Sequence, residues 1–184
     1  MNEHPFMQEE PELSNAIKQS VSKPAAFKPV YEAYFSRVYH YCLRRVENTE
    51  DAEDLTSQIF TRALSKIASY RGGSFPAWLF RIAHSIVVNY FRDKRATFSI
   101  EDVEQIGMVA DSQEHLSLEE RQRVDYLLAT LSVEQRNLLA LRMAGGLSAR
   151  EIGMVLGKRE GTIRTEIHRI IQQLRRTSAE EEEQ

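Results

Sequence analysis

The feature that most constrains this chain is the stretch from residue 147 to 174, LSAREIGMVLGKREGTIRTEIHRIIQQL. Ser148 is followed three residues later by Glu151, which is the spacing of a capping box at a helix start. Gly157 suits the left-handed residue that ends a helix. Apolar residues recur at spacings of three and four on both sides of Gly157. The stretch therefore predicts two short helices joined by a tight turn.

The second of these helices, beginning near Glu160, has two unlike faces. One face is apolar, and the other is basic and able to form hydrogen bonds. Residues 158–176 contain six basic and two acidic residues, a net charge of 6 − 2 = +4, in a chain whose net charge is −3. A basic face on the second helix of such a pair indicates a helix-turn-helix that binds DNA. The alternative is a solvated basic helix within a bundle.

Composition narrows the class of protein. Apolar residues make up 42% of the chain, but no run approaches the roughly 20 residues that a membrane helix needs. The acidic N-terminus lacks a signal peptide, and Cys42 is the single cysteine. We therefore expect a cytoplasmic protein without membrane insertion. Five scattered histidines and the lack of catalytic or phosphate-binding motifs predict no metal, no cofactor and no enzymatic activity.

The pattern along the chain predicts an all-α protein in five parts. Residues 1–26 are expected to be a mobile leader, with a short helix around Leu13 to Val21. Residues 27–95 form a first helical block and residues 119–176 a second. Between them, residues 96–118 contain acidic but no basic side chains, which predicts a flexible linker. Residues 177–184 are an acidic tail. In the helix expected over residues 77–94, the spacing predicts a buried row of Trp78, Ile82, Ile86 and Tyr90, with Leu79, Ala83 and Val87 buried beside it and with Phe80 and Arg81 on other faces.

Motifs in both blocks resemble one family. In the first block these are Asp51-Ala52-Glu53-Asp54-Leu55, Tyr70-Arg71-Gly72 and Ala77-Trp78-Leu79-Phe80-Arg81-Ile82-Ala83. In the second they are Gly146-Leu147-Ser148 with Glu151-Ile152, Gly161-Thr162-Ile163-Arg164, and His168-Arg169. They are similar to regions two and four of bacterial RNA polymerase sigma factors of the extracytoplasmic-function group. The resemblance covers residues 27–95 and 119–176, in the same order.

The resemblance implies a transcription initiation factor with three binding surfaces. Region four would contact the promoter −35 element through Arg159, Thr162, Arg164, Thr165, His168 and Arg169. Region two would contact and help melt the −10 element through Tyr70, Phe80, Arg81, His84, Ser85, Asn89 and Arg92. Core RNA polymerase would bind Asp51, Asp54 and Gln58. The partners implied are core RNA polymerase, promoter DNA and an anti-sigma factor.

Some positions depart from the family pattern. Gln58 stands where Glu is usual, His84-Ser85 replaces a common Arg-Asn pair, and Glu166 replaces a frequent Arg. The preferred promoter sequence therefore cannot be taken from the family. The competing hypothesis is a dimeric helix-turn-helix repressor or activator that needs no polymerase. That hypothesis leaves the motifs of residues 51–83 unexplained.

Overall fold

The computed structural model describes residues 11–46, 48–97 and 117–182, and the regular elements in these ranges are all helical. The prediction of an all-α chain is confirmed. Short 3-10 turns span Pro24–Phe27 and Ile67–Ser69. The acidic linker falls largely on residues 98–116, which lie outside the described residues. The α-helices are α1 (Pro11–Ser20), α2 (Lys28–Leu43), α3 (Thr49–Lys66), α4 (Phe75–Thr97), α5 (Leu118–Ala129), α6 (Val133–Met143), α7 (Ala149–Leu156) and α8 (Glu160–Glu182).

Helices α1 to α4 form the N-terminal block. The side chain of Asn48 accepts a hydrogen bond from the Asp51 amide at 2.7 Å and so caps α3. The core lies between α2, α3 and α4, and Tyr41, Ile59 and Leu79 are fully buried there. Within each of the three helices the buried apolar residues recur at helical spacing. Burial of their apolar area is the main force that packs the helices together.

Part of the predicted mobile leader is folded against this block. In α1, Ile17 is only 3% exposed, and Ala16 is also buried. The Ser20 hydroxyl donates to the Ala16 carbonyl at 2.6 Å, which satisfies a buried polar group. The helix packs on α2 and on the Pro24–Phe27 turn. The short helix expected around Leu13 to Val21 is present as α1. Residues 11–26 are not a mobile leader, however, because one apolar face of α1 joins the core.

Helices α5 to α8 form the C-terminal block, and capping boxes begin three of them. The pairs are Ser117 with Glu120, Ser132 with Gln135, and Ser148 with Glu151. The predicted helix start at Ser148 is confirmed. At its other end α8 continues to Glu182, so the helix includes most of the tail expected over residues 177–184.

The turn between α7 and α8 fixes the angle between these two helices. Gly157 has φ +68°, the left-handed conformation that a residue with a Cβ rarely adopts. Beyond the turn, Ile163 and Ile170 of α8 are buried along with Ile152 of α7. This packing turns the opposite face of α8 to solvent, as the helix-turn-helix prediction requires.

Candidate nucleic-acid interface

The face of α8 that the sequence assigns to DNA is open. The residues expected to contact the −35 element are all exposed: Arg159, Thr162, Arg164, Thr165, His168 and Arg169. They lie at the N-terminal end of α8 and in the preceding turn, on the side away from Ile163 and Ile170. The structure thus brings this set together on one surface.

Two acidic side chains neutralise part of that surface. Arg164 donates from Nε and Nη2 to Glu160 Oε1 at 3.0 and 2.6 Å, one helical turn away. Lys158 Nζ lies 3.0 Å from Glu166 Oε1. Exposed pairs of this kind are worth less than about 1 kcal/mol, so a phosphate or a base edge competes with them readily. Arg159 and Arg169 have no ion pair among the described salt bridges.

The residues expected to contact the −10 element are divided between two environments. Ser85, Asn89 and Arg92 are exposed on α4. Tyr70 and His84 are half-buried, and the Tyr70 hydroxyl donates to the Gly73 carbonyl at 2.7 Å. The C-terminal half of α4 is therefore exposed to solvent, whereas its N-terminal half and the loop before it make contacts within the protein.

Phe80 differs most from its expected position. It is 0% exposed, and its ring packs edge-on against Tyr41 with centroids 5.6 Å apart. The expectation that Phe80 lies on an outward face of α4 is therefore wrong. The burial expected for Leu79, Ala83 and Val87 is confirmed. The row that starts at Trp78 is only half-buried, so the centre of the buried face is shifted from that row towards Leu79, Phe80 and Ala83. The reason is that α4 packs against α7 as well as α3, which a helical period cannot reveal.

The C-terminal block covers this part of α4 through direct contacts. The extensive packing between α4 and α7 makes one hydrophobic cluster continuous across both blocks. Gly145 permits the approach, because a Cβ there would lie 3.0 Å from the Phe80 ring and 2.6 Å from a backbone oxygen. Arg81 Nη2 donates to the Met154 carbonyl at 3.0 Å.

A second set of contacts joins the two blocks around Glu151. The Ser74 hydroxyl donates to Glu151 Oε1 at 2.6 Å, while Ser148 occupies Oε2 from its amide and its hydroxyl. Although burial raises the pKa of Glu151, these hydrogen bonds and the nearby charge of Arg37 outweigh it, so the pKa lies below its usual value. Arg37 also donates from Nε to the Gly145 carbonyl at 2.9 Å. The Glu151 carboxylate thus caps α7 and connects the C-terminal block to the loop before α4.

A third contact involves His84. The Tyr41 hydroxyl lies 3.4 Å from His84 Nδ1 and donates to Asn137 Oδ1 of α6 at 3.1 Å. Burial lowers the pKa of His84, the charge of Arg45 lowers it further, and a hydrogen bond with Asn137 opposes both. His84 is therefore neutral near pH 7 while the blocks are in contact.

The residues expected to bind core polymerase lie along α3 but are not equivalent. Asp54 and Gln58 are exposed. Asp51 instead accepts hydrogen bonds from Tyr90 and from Asn48, and Lys94 lies 3.4 Å away. Asp51 thus connects the start of α3 to the end of α4.

A cleft of about 400 Å³ lies beside Asp51, between α3 and α4. Gln58 lines it from α3 and Asn89 from α4. The structure therefore brings one expected polymerase contact and one expected −10 contact to the same cleft.

Sequence reasoning missed an aromatic surface between α2 and α3, next to Glu53 and Ser57. Tyr31 and Phe35 of α2 are 41% and 38% exposed. The ring centroids of Tyr31 and Phe60 lie 4.7 Å apart. The spacing of Phe35 fits the apolar face of α2, so helical periodicity does not predict its exposure. Exposed aromatic side chains grouped in this way are typical of a protein-binding surface. An aromatic count too high for one face of α2 was the available signal.

The described residues contain neither a metal-binding cluster nor a membrane-spanning helix. No group of three or more His, Cys, Asp or Glu side chains there is arranged to bind a metal ion. None of the described helices combines the length and apolar character needed to cross a membrane.

Comparisons with known proteins identify the family of this chain. The family model for sigma-70 region 2 matches residues 30–97, and the model for sigma-70 region 4 matches residues 121–174. The ECF RNA polymerase sigma factor BldN of Streptomyces coelicolor is 36% identical over 157 residues, which cover 82% of this chain and 60% of that protein. The ECF RNA polymerase sigma factor SigW of Bacillus subtilis is 30% identical over 165 residues, covering 82% of this chain and 88% of SigW.

Two solved structures share the fold. CnrH, in a complex with the cytosolic domain of CnrY, has a TM-score of 0.68 at 20% identity, covering 90% of this chain and 96% of CnrH. RpoE of Bartonella quintana, in a complex with the anti-sigma factor NepR, has a TM-score of 0.62 at 24% identity, covering 82% of this chain and 94% of RpoE.

The helix-turn-helix, the region 2 bundle and these matches define a sigma-70-type protein. The chain belongs to the extracytoplasmic-function (ECF) family of RNA polymerase sigma factors. It spans 60% of the length of BldN, and 56% of the length of a second relative, SigE of Mycolicibacterium smegmatis.

Proposed function

We propose that this protein is an alternative sigma factor that binds core RNA polymerase and directs it to promoters with −35 and −10 elements. It acts by binding and by helping to melt the −10 region, not by catalysing a reaction. Because the polymerase and the chromosome share the bacterial cytoplasm, the protein functions there.

The observation that carries this proposal is the open polar face of α8 in a chain that also has a complete region 2 bundle. Arg164 and Arg169 are exposed on that face, and both side chains can bind guanine edges or phosphates. A helix held in this way by α7 fits the major groove of the −35 element. Ser85 and Asn89 are in turn accessible for the −10 element.

Promoter binding requires the two blocks to separate. Elements about 25 base pairs apart are roughly 85 Å from each other at 3.4 Å per pair. A single folded body of this chain length has a radius of gyration of about 16 Å, so it cannot reach both. The contacts of Phe80, Arg81 and Ser74 with the C-terminal block also occupy the −10 side of α4. The closed arrangement is therefore an inactive form of the protein.

Core polymerase binds the N-terminal block through α3. Asp54 and Gln58 offer an exposed polar edge, and the aromatic surface of Tyr31 and Phe35 lies beside Glu53 and Ser57 of the same helix. A regulatory partner of the anti-sigma type, as in the B. quintana complex, would act by stabilising the closed arrangement or by covering α3.

The decisive experiment is a gel shift on genomic promoter fragments with and without core RNA polymerase. We expect specific complexes only when core polymerase is present, because each block alone offers few base contacts. Tight, sequence-specific binding by the free protein would contradict the proposal and favour a self-sufficient dimeric regulator. In that case the protein should also sediment as a dimer.

A further inference from the structure

Arg45, in the turn between α2 and α3, is a charged side chain that the closed arrangement buries. It is 4% exposed, and its Nε has no hydrogen-bond partner within the described part of the chain. Its guanidinium lies over the Phe91 ring, with Cζ 5.5 Å from the ring centroid. A buried cation is unfavourable unless an anion or several acceptors compensate it. The surroundings of Arg45 compensate it only in part.

The charges around Arg45 come from both blocks. Burial lowers the pKa of Arg45, and the charge of Arg136 in α6 lowers it further. Tyr41 and Glu134 act in the opposite direction. Since Glu134 is exposed and Arg136 is a second cation, the contact between the blocks leaves Arg45 without a buried counter-ion among the residues that the structure describes.

The position of Arg45 places it on the −10 side of the N-terminal block. Phe91 belongs to α4, and Arg45 is close enough to His84 of α4 to affect its pKa. Above this site lies α6, which is joined to Tyr41 through the hydrogen bond to Asn137. Departure of the C-terminal block removes α6 and opens Arg45 to solvent beside the same helix that carries Ser85 and Asn89.

We propose that Arg45 binds a backbone phosphate of the −10 DNA once the two blocks have separated. This inference rests on the proposed function. A phosphate is the anion that the site lacks, and a guanidinium binds it with two parallel hydrogen bonds, one of them from Nε. Half to two-thirds of protein–DNA hydrogen bonds go to phosphate and sugar groups, and they position the protein without selecting sequence. Arg45 therefore aligns the DNA strand along α4, while other residues recognise its bases.

Chemical modification of arginines by phenylglyoxal, mapped by mass spectrometry, tests this inference on the unaltered chain. The three samples are the free protein, the holoenzyme, and the holoenzyme on a genomic promoter fragment from which it transcribes in vitro. We expect Arg45 to be protected, then reactive, then protected again. Arg150, which is exposed, shows the reactivity of an accessible arginine in the free protein.

Arg164 separates the failure of this inference from the failure of the proposed function. Arg164 is exposed in the free protein and should become protected on the promoter. If DNA protects Arg164 but not Arg45, the phosphate site is wrong and the sigma function stands. If DNA protects neither, the proposed function fails. Protection of Arg45 already in the holoenzyme would mean that an acidic surface of core polymerase occupies it, which also overturns the inference.

Two substitutions give an independent measurement with the holoenzyme. Binding of a promoter fragment with a single-stranded −10 region weakens with salt by a slope of about 0.7 for each phosphate contact. Arg45→Gln should reduce that slope by about 0.7, whereas Arg45→Lys should retain it because the charge remains. Circular dichroism and co-purification with core polymerase establish that each variant is folded. Equal slopes for Arg45→Gln and the unaltered protein would exclude the contact.

Discussion

The substitution Glu151→Gln tests whether a single carboxylate stabilises the closed arrangement. Glu151 uses its two oxygens for different purposes, since Oε2 accepts from Ser148 within α7 and Oε1 accepts from Ser74 across the blocks. A glutamine has one acceptor oxygen and can keep only one of these roles. The α6 capping box already uses a glutamine, Gln135, whose Oε1 accepts from the Ser132 amide at 2.8 Å. Helix α7 should therefore remain capped while the Ser74 contact is lost.

The size of the effect follows from the bond that is removed. A hydrogen bond to a charged group contributes about 1.5–3 kcal/mol, and one between neutral groups about 0.5–1.5 kcal/mol. Glu151 is half-buried, and the nearby charge of Arg37 also favours the carboxylate. We therefore expect Glu151→Gln to weaken the closed arrangement by about 1–2 kcal/mol relative to the open one. That change lowers the closed-to-open ratio roughly 5- to 30-fold.

Single-molecule energy transfer in the free protein measures that ratio. Dyes attached to Ser65→Cys in α3 and Gln172→Cys in α8 report the distance between the blocks, since both positions are exposed. Cys42 does not compete for dye, because it is buried and burial raises the pKa of its thiol to about 12. Glu120→Gln is the matched control, as it removes the same charge from the capping box of α5, where no contact with the N-terminal block is described.

The expected result is a larger population at low transfer efficiency for Glu151→Gln and an unchanged distribution for Glu120→Gln. Equal distributions for Glu151→Gln and the unaltered protein would show that the Ser74 contact does not stabilise closure. A shift of the same size in Glu120→Gln would assign the effect to helix capping or net charge instead.

Four further predictions concern the other surfaces. Arg164→Ala should weaken −35-dependent transcription by about 1–3 kcal/mol, measured as promoter strength in vitro, and unchanged strength would remove Arg164 from the DNA contacts. Asp54→Arg should abolish co-purification with core polymerase at an unchanged melting temperature, because reversal of an exposed charge costs the fold little; normal yield would mean that this face only contacts solvent. Ser85→Asn should change the base preferred at one −10 position and leave −35 preference intact, which transcription from all four bases at each position would show. The pKa of His84 is lowered in the closed arrangement, so closure is favoured above the ordinary pKa near 6.5 and is lost as pH falls from there through the lowered pKa. The open population should therefore grow between pH 7.5 and 5.5, and His84→Gln should remove that dependence.

Local patterns in the sequence were sufficient to predict the helices and the exposed polar face of α8. The capping pair of Ser148 and Glu151 depends on residues three apart, and the stop at Gly157 depends on one backbone angle. The exposed face of α8 follows from the spacing of Ile163 and Ile170, which already defines the opposite side. Interactions within one or two helical turns involve residues that are close in sequence. These expectations therefore agree with the structure.

The buried faces of α1 and α4 could not be predicted without knowing which helices each of them packs against. A helical period shows that a row of residues is apolar, but it does not show how many neighbours share the helix. Helix α4 contacts both α3 and α7, so its buried surface is wider than one row and includes Phe80. The same ambiguity applies to Phe35, whose spacing fits the apolar face of α2 although the side chain is partly exposed.

By itself, the sequence determined an all-α chain, a helix-turn-helix with a basic outer face, and membership of the ECF sigma factor family. Only the tertiary structure decided that Ser74, Arg81 and Tyr41 hydrogen-bond to the C-terminal block and that Arg45 lies buried beneath it. These contacts join residues more than 70 positions apart, and their partners are backbone carbonyls or side chains of ordinary type. Such contacts leave no periodic pattern along the chain, because they depend on the three-dimensional arrangement of two separately patterned blocks.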